Sequence, residues 1–78
     1  MHTSIIKVYN ARYGKWEQNA KVVLFWNGLL NSGFSKAVYT NAQGVAEVQH
    51  ASTGMADVHV NGKFREKLRT PGAITITI

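Results

Sequence analysis

The chain has 78 residues and no cysteine, and nine Lys and Arg against four Asp and Glu give it a net charge of +5. This length predicts one domain, residues 1–78, with a core so small that a partner or a second copy would supplement its stability. The absence of cysteine excludes disulfides and thiolate metal sites. The charge favours polyanions but falls short of the basic density of a nucleic-acid-binding arm.

Apolar alternation, β-branched residues and frequent Gly or Asn predict strands throughout, and no stretch combines helical periodicity with caps. The predicted strands are, in chain order, 4–10, 20–26, 35–40, 45–50, 56–61, 63–69 and 73–78. Short strands with turns about every eight to twelve residues are typical of sandwiches. The fold class predicted is therefore all-β, a seven-stranded antiparallel Greek-key β-sandwich of the immunoglobulin-like or prealbumin-like kind.

Three of the connections between these strands have the composition of tight turns. Asn41 suits the first position of a type I turn through its side-chain oxygen, and Gly44 suits the position with positive φ. Asn61-Gly62 predicts a two-residue type I′ hairpin, since both residues tolerate positive φ. Pro71-Gly72 predicts a type II turn.

Alternation also predicts which side chains face the core. Each strand should bury every second residue and leave the others in solvent. The predicted inward residues are Val22, Leu24, Trp26, Ala46, Val48, His50, Ala56, Val58, Val60, Ile74, Ile76 and Ile78. His59 is expected on the outer side with Asp57, so His50 and His59 would lie on opposite sides of the sheet and share no metal.

The segments 20–24, 40–46 and 54–62 together resemble the carboxypeptidase regulatory-like, or prealbumin-like (transthyretin-like), β-sandwich domains. Asn41 stands where the family usually has Asp, and Ala46 and Ala56 stand where it commonly has aromatic residues. The core is therefore expected to be filled by Trp26 or Tyr39. Because the family's members are mostly non-catalytic accessory or adhesion modules, the resemblance implies a binding or structural role and transfers no site residues.

The strand 20–26 has two apolar faces, so something must cover each of them. With Leu24 and Trp26 inside, Val23 and Phe25 point outward, and Val38 joins them if Ala37 and Tyr39 face inward. Such an apolar patch predicts an interface with a partner protein or a second copy. The alternative is intramolecular burial, with Leu29, Leu30 and Phe34 folded over the patch.

A second candidate surface is the basic run 63–69. Strand geometry would put Lys63, Arg65, Lys67 and Arg69 on one face at intervals of about 6.6 Å, as a stripe for phosphate or sulfate polymers. The alternative is that these charges keep an edge strand from pairing with other chains.

The aromatic residues Tyr9, Tyr13, Trp16, Phe34 and Phe64 could stack on sugars or bases, although burial is the commoner use of such side chains. No pattern of residues predicts a catalytic site, a cofactor site or a metal site. Glu47 and Asp57 should face solvent as ordinary carboxylates, and no serine lies in a Gly-x-Ser-x-Gly elbow.

The sequence thus predicts a non-catalytic structural or protein-interaction module that self-associates through an apolar sheet face. A weak polyanion-binding module that uses residues 63–69 is the alternative. No signal peptide or transmembrane segment is predicted, so a cytoplasmic location is the default, although a processed secreted protein would look the same.

Overall fold

The computed structural model describes residues 1–28 and 32–78, which form strands and turns. The strands in these ranges are β1 (His2–Asn10), β2 (Lys15–Trp16), β3 (Lys21–Asn27), β4 (Ser32–Phe34), β5 (Val38–Tyr39), β6 (Val45–His50), β7 (Gly54–Val60), β8 (Lys63–Thr70) and β9 (Ala73–Thr77). The described part of the chain is all-β, and it contains no helix that is long and apolar enough to cross a bilayer.

The strands form two sheets around one core. In sheet A, β1 is central, with β6 and β2 along one side and β9 along the other. In sheet B, β3 pairs with β4 and β5 on one side and with β7 on the other, and β8 follows β7 at the edge. The arrangement is consistent with a β-sandwich.

The core consists of the inward side chains of both sheets, because alternation gives each strand one apolar face. Its buried apolar residues are Ile6, Val8, Ala20, Val22, Leu24, Trp26, Ala46, Val48, Ala56, Val58, Val60, Leu68 and Ile76. The predicted inward orientation is confirmed on β3, β6, β7 and β9, with Ile74 and Ile78 partly buried against the cluster. Trp26 is buried, whereas Tyr39 is 58% exposed, so Trp26 alone fills the space expected of an aromatic residue.

Two predicted turns are confirmed. Asn41 Oδ1 accepts hydrogen bonds from the Gln43 and Val45 N–H groups at 2.9 and 3.0 Å, and Gly44 has φ +74°. Asn61 and Gly62 have φ values of 54° and 80°, as a type I′ hairpin requires. The predicted type II turn at Pro71-Gly72 is wrong, because the third position of that turn needs positive φ and Gly72 does not have it.

The predicted strand 35–40 is mostly wrong, because only Val38–Tyr39 (β5) of that range are strand. A separate strand, β4, lies just before it, and both β4 and β5 pair with β3. Ser35 lies between them, and its hydroxyl accepts a hydrogen bond from the Leu24 N–H at 2.9 Å. A side chain thus takes the place of a ladder carbonyl, which interrupts the regular pairing.

The expectation of antiparallel pairing throughout is wrong for one pair of strands. β9 runs parallel to β1, with Ile5 opposite Ala73 and Tyr9 opposite Thr77. The first and last strands therefore lie side by side, and β9 forms an edge of sheet A.

Candidate functional site

The outer face of sheet B is the candidate site. Directly opposed residues in an antiparallel pair share a face, so the registers of sheet B define this surface. Phe25 lies opposite Phe34 on one side and Asp57 on the other, and Val23 lies opposite His59. All of these side chains therefore point away from the core.

An aromatic row crosses this face from β4 to β8 and consists of Phe34, Phe25, His59 and Phe64. The ring centroids of Phe34 and Phe25 are 4.6 Å apart, those of Phe25 and His59 are 6.5 Å apart, and those of His59 and Phe64 are 6.0 Å apart. Such contacts stabilise a sheet face beyond simple burial. The ends of the row remain open to solvent, with Phe34 73% and Phe64 50% exposed.

The predicted outer patch of Val23, Phe25 and Val38 is only partly present. Val23 and Phe25 are half-buried on the outer face, as expected. The outward placement of Val38 is wrong, because Val38 lies opposite Val22 and packs against the core. Tyr39, opposite Lys21, is the residue that faces outward. The role of Val23 and Phe25 as an interface stays a prediction.

Phe34 covers the apolar patch only in part, so the alternative of intramolecular burial is only partly met. Its ring covers one side of Phe25, yet Phe34 itself stays largely exposed. Phe34 therefore adds exposed apolar area to this face and does not bury it. The expectation that Leu29 and Leu30 cover the patch lies outside the described residues.

The basic residues of β8 do not form one stripe. Lys67 lies opposite Asp57 and Arg69 opposite Met55, so both belong to the outer face. An irregularity between Val58 and His59 leaves Arg65 without an opposing residue. Counting from the hairpin, it brings Glu66 rather than Arg65 opposite Val58. Lys63 lies opposite the inward residue Val60. The prediction that all four cations share one face is wrong because this bulge changes the alternation.

Charged side chains share the outer face with the aromatic row. Lys67 Nζ donates to Asp57 Oδ1 at 2.8 Å. Because Lys67 is largely exposed, this ion pair contributes little to the stability of the fold. Beside the row, a shallow depression of about 270 Å³ is lined by Lys21, Val23, Phe34, His59 and Gly62. Its apolar wall could receive one or two side chains of a partner.

A separate polar cluster closes one end of the core. His50 Nδ1 donates to the carbonyl of Ser52 at 2.7 Å, so in the neutral ring Nε2 accepts from the Ser4 hydroxyl at 2.8 Å. Ser4 Oγ also accepts from the Gly72 N–H at 3.2 Å. Ser4 is fully buried, and no substrate atom can reach its hydroxyl. These bonds satisfy buried polar groups and hold β1, β6 and the start of β9 together.

The indole of Trp26 extends this polar end. Its Nε1 donates to Thr70 Oγ1 at 3.1 Å, and the Thr70 hydroxyl donates to the Gly54 carbonyl at 2.7 Å. The Trp26 ring also lies 5.0 Å from the His50 ring. The inward position predicted for His50 is thereby confirmed, and its hydrogen bonds explain why an imidazole is tolerated there.

The remaining aromatic residues lie away from sheet B. Tyr9 and Trp16 make an edge-to-face contact at 5.1 Å, and Lys7 Nζ lies 4.5 Å from the Trp16 ring centre. Tyr13 is exposed in the turn after β1. The five aromatics considered from the sequence therefore do not form one platform; Phe34 and Phe64 join Phe25 and His59 instead.

The two carboxylates considered from the sequence, Glu47 and Asp57, lie on different sheets. Glu47 lies on β6 in sheet A, whereas Asp57 lies on the outer face of sheet B. Within residues 1–28 and 32–78, no group of three or more His, Asp or Glu side chains has a geometry that could hold a metal ion.

Sequence reasoning missed His59 as a link in the aromatic row. The signal was the Asn61-Gly62 hairpin, because a two-residue loop fixes Val60 opposite Lys63 and His59 opposite Phe64 by counting outward. The contact of Phe25 with Phe34 had no such signal, since β4 begins after a loop whose length does not set its register.

Comparison of the chain with protein-family models, with curated proteins and with solved structures gave no match.

Proposed function

We propose that the chain is a non-catalytic interaction module that self-associates through the outer face of sheet B. The observation that carries this proposal is the aromatic row with its exposed ends, Phe34 and Phe64. A connected apolar surface of this kind on a small soluble domain marks a contact site. Aromatic side chains are also the residues that contribute most to the stability of protein interfaces.

The size of the chain supports the same reading. A domain of 78 residues leaves a large fraction of its apolar surface in water, and association would cover part of it. The half-buried side chains of Val23 and Phe25 form the floor of the contact, and the depression beside them would accept a ring from the second copy.

We also propose a more specific fold for the chain. If β4 and β5 are counted as one interrupted strand and the two-residue β2 is set aside, seven strands remain in the described residues. This number supports a Greek-key sandwich of the prealbumin-like type, whose members act mostly as accessory or adhesion modules. The parallel pairing of β1 with β9 joins the two ends of the chain in one sheet.

Sedimentation of the wild type and of Phe34→Asp at several concentrations tests self-association. Phe34 is exposed, so Asp there should leave the fold intact while placing a charge in the contact. We expect the wild type to dimerise and Phe34→Asp to weaken the dimer by about tenfold or more, a factor equal to about 1.4 kcal/mol. Phe25→Asp, at the centre of the row, should have the larger effect.

Tyr13→Asp is the matched control, because Tyr13 is also an exposed aromatic residue but lies away from sheet B. It should associate like the wild type. A wild-type chain that stays monomeric at tens of micromolar, or an equal loss in Phe34→Asp and Tyr13→Asp, would contradict self-association through this face.

Polyanion binding is the second candidate. Lys67 and Arg69 share the outer face with the aromatic row, and aromatic rings beside cations suit phosphate or sulfate polymers. It has less support, because the bulge separates these two cations from Lys63 and Lys67 already pairs with Asp57. Salt separates the candidates: added salt should weaken polyanion binding and strengthen contact between copies that each carry a charge of +5.

A further inference from the structure

The strand β9 presents a row of free backbone groups at the edge of sheet A. Its inner side bonds to β1: the Ile78 N–H donates to the Tyr9 carbonyl at 2.8 Å, and the Ile5 N–H donates to the Gly72 carbonyl at 2.9 Å. Because both groups of a strand residue point the same way and alternate along the strand, Gly72, Ile74, Ile76 and Ile78 face β1. The N–H and C=O groups of Ala73, Thr75 and Thr77 consequently face outward.

Nothing in the composition of this edge discourages pairing. Residues 73–78 are Ala-Ile-Thr-Ile-Thr-Ile, a charge-free and β-branched run. Among the strands of the described ranges, β1 is the one ladder partner of β9. An edge that is regular in its pairing, uncharged and free of proline is a template for strand addition.

We propose that β9 pairs antiparallel with β9 of a second copy and so joins two copies of sheet A. A two-fold axis beside Thr75 would place Thr75 opposite its own equivalent and Ala73 opposite Thr77. In that register the outward residues form the hydrogen-bonded pairs, and every outward N–H and C=O of both strands finds a partner. An isologous contact requires this self-complementarity.

The side chains favour a second copy over an unrelated strand. Thr75 would meet Thr75 and Ile74 would meet Ile76 across the axis, which suits cross-strand pairing. Two chains of charge +5 repel each other, and β9 is an edge where no further like charges come together. Ile74 and Ile78 are half-buried at this edge, and the second strand would cover more of both.

This contact goes beyond the proposed function, because it uses the edge of sheet A rather than the face of sheet B. With both contacts present, each copy would touch one neighbour through each surface. Two different isologous contacts on one small domain link copies into rows or closed sets larger than a dimer.

The test combines Thr75→Pro with Phe34→Asp, so that the face contact is weakened in every sample. The Thr75 N–H points away from β1, so Pro removes no bond within the copy but blocks the ladder between copies. Thr75→Val, in the same background, is the matched control because it keeps the N–H and the branched side chain. Sedimentation from about 1 µM to about 1 mM covers the weak range expected of a small contact.

We expect Phe34→Asp and Phe34→Asp/Thr75→Val to dimerise at high concentration, and the Thr75→Pro double variant to dimerise at least about tenfold more weakly. Far-ultraviolet circular dichroism should show the same strand content in all three variants. A Phe34→Asp chain that stays monomeric throughout this range would overturn the edge contact and leave the face contact standing.

Amide hydrogen exchange gives a second readout that needs no proline. In Phe34→Asp, the Thr75 and Thr77 amides should exchange more slowly at high than at low concentration, because pairing protects them. The Ile78 amide, which already bonds to Tyr9, serves as the internal control. Equal exchange of Thr75 and Thr77 at both concentrations would overturn the proposal even if Thr75→Pro failed to fold.

Discussion

The two strands that flank the Pro71-Gly72 turn are both sheet edges, and they are built in opposite ways. β8, at the edge of sheet B, carries Lys63, Arg65, Lys67 and Arg69 and contains a bulge. β9, at the edge of sheet A, carries no charge and is regular along its pairing with β1. Charges and bulges are the common protections of an exposed edge. The chain therefore protects the β8 edge against pairing with another strand and leaves the β9 edge available for such pairing.

Each edge strand is anchored in the core by its inward side chains. Leu68 and Thr70 are buried on β8, and Ile76 is buried on β9. The difference between the two strands thus lies in their outward residues and free backbone groups, while the attachment to the core is similar. Substitutions at the anchors should separate attachment from edge behaviour.

The largest effect is expected for Ile76→Ala and Leu68→Ala. Each removes buried apolar atoms from an edge strand, and we expect each to lower the free energy of unfolding by about 2–5 kcal/mol. Ile76 is 2% exposed and Leu68 is 8% exposed, so Ile76→Ala should be at the upper end of that range. Urea denaturation followed by tryptophan fluorescence measures both.

Thr77→Ala is the control for this pair, because Thr77 is exposed on the same strand. It should change the free energy of unfolding by about 0.5 kcal/mol or less. A cost for Ile76→Ala no greater than that for Thr77→Ala would mean that β9 is not anchored through this side chain.

The turn between the two edges should be the next most sensitive position. An added Cβ at Gly72 would lie 2.6 Å from the Arg69 carbonyl oxygen, which is a backbone atom and cannot rotate away. We expect Gly72→Ala to lower the free energy of unfolding by about 1–3 kcal/mol, as overpacking does. The shift should also weaken the hydrogen bond from the Ile5 N–H to the Gly72 carbonyl, which faster exchange of that amide would report.

Ala73→Ser is the neighbouring control, since Ala73 is exposed at the start of β9. It should leave both the stability and the Ile5 exchange rate nearly unchanged. A Gly72→Ala chain as stable as the wild type would show that the crossing from sheet B to sheet A tolerates a side chain, and the contrast between the edges would then not depend on this turn.

The strand pattern of β8 shows what could be read from the sequence and what could not. The Asn61-Gly62 turn predicts that Lys63 and Arg65 lie on the face of Val60 and Val58, whereas burial of Leu68 predicts that Lys67 and Arg69 lie on the other face. The two rules conflict over this strand, and a bulge at Arg65 reconciles them. A prediction based on simple alternation along β8 does not detect that conflict.

The strands with strict apolar alternation were predictable because burial fixes their register. The core positions of β3, β6 and β7 followed from period-two patterns alone. Val38 did not, because β5 is only two residues long and its orientation comes from its pairing with Val22. The parallel pairing of β1 with β9 likewise depends on the packing of the two chain ends, which no local pattern records.

The smallest effect is expected for the charges of β8. Lys67→Gln/Arg69→Gln and Lys63→Gln/Arg65→Gln each remove two positive charges, so a net-charge effect on heparin retention would be equal in the two variants. If these cations mainly protect the edge, both variants should elute at nearly the same, slightly reduced salt concentration. If a polyanion lies along the outer face, Lys67→Gln/Arg69→Gln should elute distinctly earlier and lower the salt dependence of binding by about one unit per lost phosphate or sulfate contact. Because Lys67 and Arg69 share the outer face with the aromatic row whereas Lys63 lies opposite the inward residue Val60, a clear difference between these variants would give β8 a binding role in addition to its protective one.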